Sequence, residues 1–198
     1  MTTLATLRRE VRLDDKYRLD DGHVFMSGLQ ALVRLPLIQK RRDAVAGLNT
    51  ACFISGYRGS PLGGYDQELW RAKTMLAEND VIFTPGVNEE LGATAVWGSQ
   101  LVGMNATKKY DGVFGIWYGK GPGLDRAMDV LKHANAAGTT EHGGVLAIVG
   151  DDHGAKSSTL PHQSDHNFQA AFVPFLYPAS VEEYVEYGLL GIAMSRFA

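Results

Sequence analysis

Four segments of this chain gather residue types that can do chemistry. The first, Gly56-Tyr57-Arg58-Gly59-Ser60-Pro61-Leu62-Gly63-Gly64, puts four glycines, a guanidinium and a hydroxyl within nine residues. Backbone N–H groups freed by glycine, with a cation beside them, suit an anionic ligand. The segment lacks the terminal Gly-Lys-Ser/Thr of a P-loop and does not match Gly-x-Gly-x-x-Gly, so taken alone it reads as a flexible turn. The second, Pro85 to Ala95, opens on Asn88-Glu89-Glu90 and continues in small residues. Asn at an N-cap and acids in the first turn are what capping and the helix dipole favour without any further role. In the third, Trp117 to Asp125, glycines surround Lys120, which suits an anion contact or a solvated lysine. The fourth is Gly150-Asp151-Asp152-His153-Gly154-Ala155-Lys156-Ser157-Ser158-Thr159, extended by His162, Asp165 and His166. Its Asp and His residues have metal-ligand chemistry, and His162-x-x-x-His166 would share a face if helical. Pro161 and the lack of a completed zinc motif favour a hydrogen-bonded polar loop, with no metal residues assigned.

The elements around these segments alternate. Leu29, Leu32, Val33, Pro36 and Leu37 predict a helix from Ser27 to about Ala46, with Ser27 as N-cap and a kink or break at Pro36. Apolar runs predict strands at 49–55, 81–84, 112–118 and 145–149, and a short last one at 174–177. Between them lie predicted helices at 65–78, 89–104 and 124–137, and Ser180 caps a final one. Strand and helix recur about every 30 residues, the mark of βαβ units on a parallel sheet covered on both faces. The expected fold is α/β and doubly wound. The polar segments 56–64, 85–90, 119–123 and 150–166 each follow a strand, and ligands of such sheets bind at the carboxyl ends of the strands. Residues 1–22 read as an arm or a partner-packed segment, and 23–198 as the α/β domain. Its apolar helical end points to a fragment of a longer polypeptide.

Composition narrows the function classes. Among 198 residues, 45% are hydrophobic, and 19 basic against 22 acidic residues leave a formal charge of -3. No nucleic-acid footprint is expected from that balance. No apolar run approaches the ~20 residues of a membrane span, so a cytoplasmic protein is expected. Cys52 is the single cysteine, which leaves no ligand set for an iron–sulfur cluster within the chain.

Together the motifs are far more specific than any one of them. Tyr-Arg-Gly-Ser-Pro-Leu-Gly-Gly-Tyr-Asp, Val-Asn-Glu-Glu-Leu, Trp-Tyr-Gly-Lys-Gly-Pro-Gly-Leu-Asp-Arg, Lys-His-Ala-Asn and Gly-Asp-Asp-His-Gly-Ala-Lys-Ser-Ser-Thr-Leu-Pro-His-Gln-Ser-Asp occur in that order. The set resembles the indolepyruvate ferredoxin oxidoreductase-like family, within the 2-oxoacid:ferredoxin oxidoreductases, from about Asp20 to the C-terminus. The resemblance implies the aminopyrimidine-binding domain of a thiamine-diphosphate enzyme that oxidatively decarboxylates aryl or branched 2-oxoacids to acyl-CoA, with ferredoxin as acceptor. It implies Glu89 as the catalytic and cofactor-binding carboxylate at N1′ of the pyrimidine. Glu90 ranks second, and Gly59, Ser60 and Pro61 are further cofactor-binding residues. The family's substrate-side loops map to Arg58, Ser60, Lys120, His153, Lys156 and Ser157. The chain departs from the family in carrying Arg58 where a proline is usual.

The Gly-Asp-Gly…Asn motif for magnesium and diphosphate is missing. The family's pattern therefore places magnesium, the diphosphate-binding domain, the γ-type domain and the iron–sulfur clusters outside these residues. A homodimer is expected of the full-length form, and the isolated fragment is expected to be inactive. The alternatives are a metal-dependent hydrolase using residues 151–166, or a non-catalytic assembly domain.

Overall fold

The computed structural model describes residues 10–59 and 62–197. Ser60 and Pro61, both expected in the site, lie outside the described residues. The elements run α1 (Asp15–Arg18), α2 (Gly28–Val45), β1 (Thr50–Gly56), α3 (Tyr65–Arg71), α4 (Lys73–Ala77), β2 (Val81–Phe83), α5 (Glu89–Ser99), β3 (Gly112–Lys120), α6 (Gly121–Ala137), β4 (Val145–Gly150), α7 (Asp165–Ala170) and α8 (Val181–Phe197). Short 3-10 turns precede α3 and follow α5.

All four strands are parallel, in the order β2-β1-β3-β4. Side-chain alternation divides the core into two layers. Cys52, Ile54, Phe114, Ile116 and Tyr118 enter one layer with residues of α2, α3 and α8. Phe53, Trp117, Val145, Ala147 and Val149 enter the other with residues of α5, α6 and α7. The expected doubly wound α/β fold is therefore present. The chain leaves β1 toward β2 on one side, and β3 toward β4 on the other. The topological switch point thus falls between the carboxyl ends of β1 and β3, where such folds bind ligands.

Several local expectations are corrected. Helix α2 runs through Pro36 without ending. Proline there removes the N–H that the Leu32 carbonyl would accept, and the buried Tyr65 hydroxyl donates to that carbonyl instead, at 3.4 Å. The expected 65–78 helix divides at Ala72. The expected loop at 119–123 does not exist: β3 ends at Lys120 and α6 starts at Gly121. Residues 174–177 form no strand. Pro174 and Pro178 bracket them without N–H groups to continue a ladder, and Phe175 packs on Phe168 and Tyr177. A short helix, α7, takes its place in the chain just before this stretch. Within the expected N-terminal arm, Tyr17 is buried and Arg34 donates to the Lys16 and Leu19 carbonyls, which fastens α1 to α2.

One ion pair locks the far end of the sheet from the switch point. Arg196 of α8 donates to both oxygens of Asp43 at 2.7 and 2.9 Å, and Thr50 and Gln39 donate to the same carboxylate. Burial opposes ionisation of Asp43, but Arg196, Thr50 and Gln39 together outweigh it and hold its carboxyl below the usual range. A depressed carboxyl stabilises the fold above its unfolded pKa and loses that contribution as pH falls through its folded value. Asp43→Ala strands a mostly buried guanidinium and is expected to cost about 3 kcal/mol or more at pH 7. Chemical denaturation across pH should show the gap to wild type narrowing below about pH 4.

Candidate functional site

The carboxyl ends of β1 and β3 are joined through glycine. The Gly86 N–H donates to the Gly56 carbonyl at 2.8 Å, and the Tyr57 N–H donates to the Tyr118 carbonyl at 3.2 Å. A β-carbon on Gly92 would lie 2.9 Å from the Gly56 Cα, and one on Gly56 would lie 2.1 Å from the Tyr118 carbonyl oxygen. Only glycine permits these approaches. They press the first turn of α5 directly onto the end of β1.

Glu89 is the first residue of α5, and Asn88 caps the helix by accepting the Leu91 N–H at 2.8 Å. The indole N–H of buried Trp117 donates to the Glu89 carbonyl at 2.9 Å, which ties this backbone to β3. The side chain lies over Gly123 in the first turn of α6: a β-carbon there would sit 2.5 Å from Glu89 Cγ and 2.9 Å from Oε1. Glu89 is half-buried. Among the described residues, no group hydrogen-bonds its carboxylate. Such an acid, fixed by its backbone and open at its oxygens, can receive or hold a proton on a ligand. Glu90 points outward and is exposed.

The other expected residues divide. Gly59 packs against the Lys120 side chain, and Lys120 Nζ donates to the Ser157 carbonyl at 2.8 Å. Asp152 accepts the Lys156 and Ser157 N–H groups at 3.0 and 2.7 Å, shaping that turn, and the two backbone bonds with the serine hydroxyls hold its carboxyl below the usual range. Gly59, Lys120 and Ser157 are thus brought together beside the switch point. Lys120 uses one of its donors on that loop carbonyl, and it keeps its charge with no ion pair among the described residues. Arg58 lines a separate small pocket toward β2. His153 and Lys156 are exposed.

A cluster not foreseen as a unit stands on the other side of the α6 start. His162 packs against Gly121, with Nε2 2.8 Å from Asp125 Oδ2 and Nδ1 3.6 Å from Asp151 Oδ1. Asp151 accepts the Ser164 N–H and hydroxyl, and Asp125 accepts from Asn167. The helix begins only at Asp165, so His162 and His166 are not helical neighbours, and His166 is exposed. Among the described residues, no group of three or more His, Cys, Asp or Glu side chains is arranged to hold a metal ion. The spacing of His162 from Asp125 carries no local motif; only the packing of the 150–164 loop over α6 joins them. Among those residues, no helix is long and apolar enough to cross a membrane.

Comparison with family models and with curated proteins finds no match for this chain.

Two substitutions separate packing from site geometry. Gly92→Ala drives a β-carbon into the Gly56 backbone, and is expected to cost about 1–3 kcal/mol in denaturant titration. Gly123→Ala meets the Glu89 side chain first, the flexible part of its surroundings. Its stability should stay within about 1 kcal/mol of wild type, while a crystal structure of the variant should show the Glu89 carboxylate displaced.

Proposed function

We propose that this domain is the aminopyrimidine-binding wall of a thiamine-diphosphate-dependent 2-oxoacid oxidoreductase, with Glu89 as the carboxylate that meets the pyrimidine. The observation that carries the reading is the position of Glu89. It stands at the switch-point edge of a parallel sheet, anchored through its carbonyl by Trp117, over the glycine at 123, with its carboxylate oxygens unused among the described residues. The motif resemblance independently selects the same residue.

The residues present fit the group. Gly123 leaves the room in which the Glu89 side chain lies, and Gly56, Gly86 and Gly92 bring the backbones of β1 and α5 together at that edge. Bound thiamine diphosphate would supply a stabilised carbanion for cleavage beside the carbonyl of a 2-oxoacid. This chain's part is narrower. Glu89 would hold a proton at the pyrimidine ring nitrogen, Trp117 and Asn88 would fix the angle at which it does so, and the short β3–α6 junction would close the floor. Gly59, Ser60 and Pro61 would border the cofactor, with Lys120 and Ser157 forming the neighbouring wall. Magnesium and the diphosphate group would be held by another domain, since these residues lack a Gly-Asp-Gly…Asn motif. Iron–sulfur clusters, coenzyme A and ferredoxin would likewise engage regions beyond this one, and the buried Cys52 is no substitute for a cluster ligand set.

In the complete enzyme, Glu89→Gln should abolish turnover of aryl and branched 2-oxoacids while circular dichroism and melting behaviour stay those of wild type. Near-wild-type turnover in that variant would refute the assignment.

A further inference from the structure

A second pocket opens on the β1–β2 side, away from Glu89 and α6. It encloses about 290 Å³ and is lined by Tyr57, Arg58, Asp66, Trp70 and the Pro85–Gly86 turn. Asp66 is 7% exposed, yet among the described residues its Oδ1 has no hydrogen-bond partner. The fully buried hydroxyl of Tyr118 approaches the same carboxyl, but closes no hydrogen bond of good geometry among the described residues. Burial first, and the neighbouring Asp66 second, push the Tyr118 phenol well above its usual range. Trp70 and Phe83 meet edge to face at 5.1 Å, and Phe83 leans on Tyr118 at 6.3 Å, so the aromatic frame around the carboxyl is fixed.

A buried acid whose neighbouring donor, the Tyr118 hydroxyl, is not seated on it is costly, and such a group is commonly completed from outside the fold. The surroundings state what that something is. Two half-exposed aromatic rings, Tyr57 and Trp70, border the pocket beside the acid. Aromatic faces with a carboxylate favour an ammonium group. Arg58, exposed at the same pocket and in no ion pair among the described residues, offers a planar fork for a carboxylate.

We propose that this pocket binds a free α-amino acid, its ammonium group on Asp66 between the rings of Tyr57 and Trp70 and its carboxylate on Arg58. A rotation of the Asp66 carboxyl group, which is a soft torsion, lets Tyr118 donate to one oxygen while the ligand donates to the other. The site uses neither Glu89 nor thiamine, so it stands or falls separately from the proposed reaction.

The test is thermal unfolding of the purified protein with each of the twenty common L-amino acids at millimolar concentration, followed by calorimetry on those that raise the midpoint. At least one should bind, and its 2-hydroxy acid analogue, which lacks the ammonium group, should bind at least about tenfold more weakly. Asp66→Leu should abolish the shift without lowering the ligand-free midpoint, because it removes an unsatisfied buried group. Asp66→Asn, which keeps the shape, should weaken binding about tenfold or more, and Arg58→Gln should weaken it as well. The proposal is overturned if no amino acid shifts the midpoint, if the hydroxy acid binds equally, or if Asp66→Asn binds like wild type.

Discussion

Gly56 is where three stretches of backbone converge, and the site depends on that convergence. Its carbonyl accepts from Gly86, its Cα faces Gly92, and its missing β-carbon leaves room for the Tyr118 carbonyl. A side chain at this position would collide with β3 at 2.1 Å, and the switch point would open. With glycine there, α5 starts directly on the end of β1, and the orientation of its first residue follows. Trp117 then fastens that residue's carbonyl from beneath. The carboxylate of Glu89 is thus placed by contacts its own side chain does not make.

The same economy explains the rest of the edge. Strand β3 passes into α6 with no intervening loop, so Gly121 and Gly123 lie under His162 on one side and Glu89 on the other. The His162–Asp125 cluster and the Glu89 carboxylate thus share one helix start. Lys120, expected as an anion contact, holds the 152–157 turn by the Ser157 carbonyl. Arg58 brings a further cation to the β1–β2 pocket.

The sheet was readable because its signals are periodic. The apolar runs at Val81–Phe83 and Val145–Gly150 and the intervening helical spacing dictate four parallel strands wherever both faces are covered. The misses have tertiary causes. The Leu32 carbonyl that Pro36 leaves open is met by the hydroxyl of Tyr65, 33 positions from Leu32. The run at 174–177 has strand-like residues but starts on Pro174, is followed by Pro178, and joins no ladder. Glu89 is indistinguishable in sequence from an ordinary helix-start acid, and only its motif context singled it out. Asp66 gave no signal at all: an acid in a first helical turn is commonplace, and its isolation beside Tyr118 exists only after folding.

The proposed action of Glu89 on the pyrimidine of thiamine diphosphate can be measured directly. Hydrogen–deuterium exchange at the cofactor's C2 position, followed by NMR in the complete enzyme, tests it without requiring knowledge of the substrate. Glu89→Gln should slow that exchange by about 10²–10⁴-fold with the cofactor still bound. Exchange at the wild-type rate in the variant would contradict the claim.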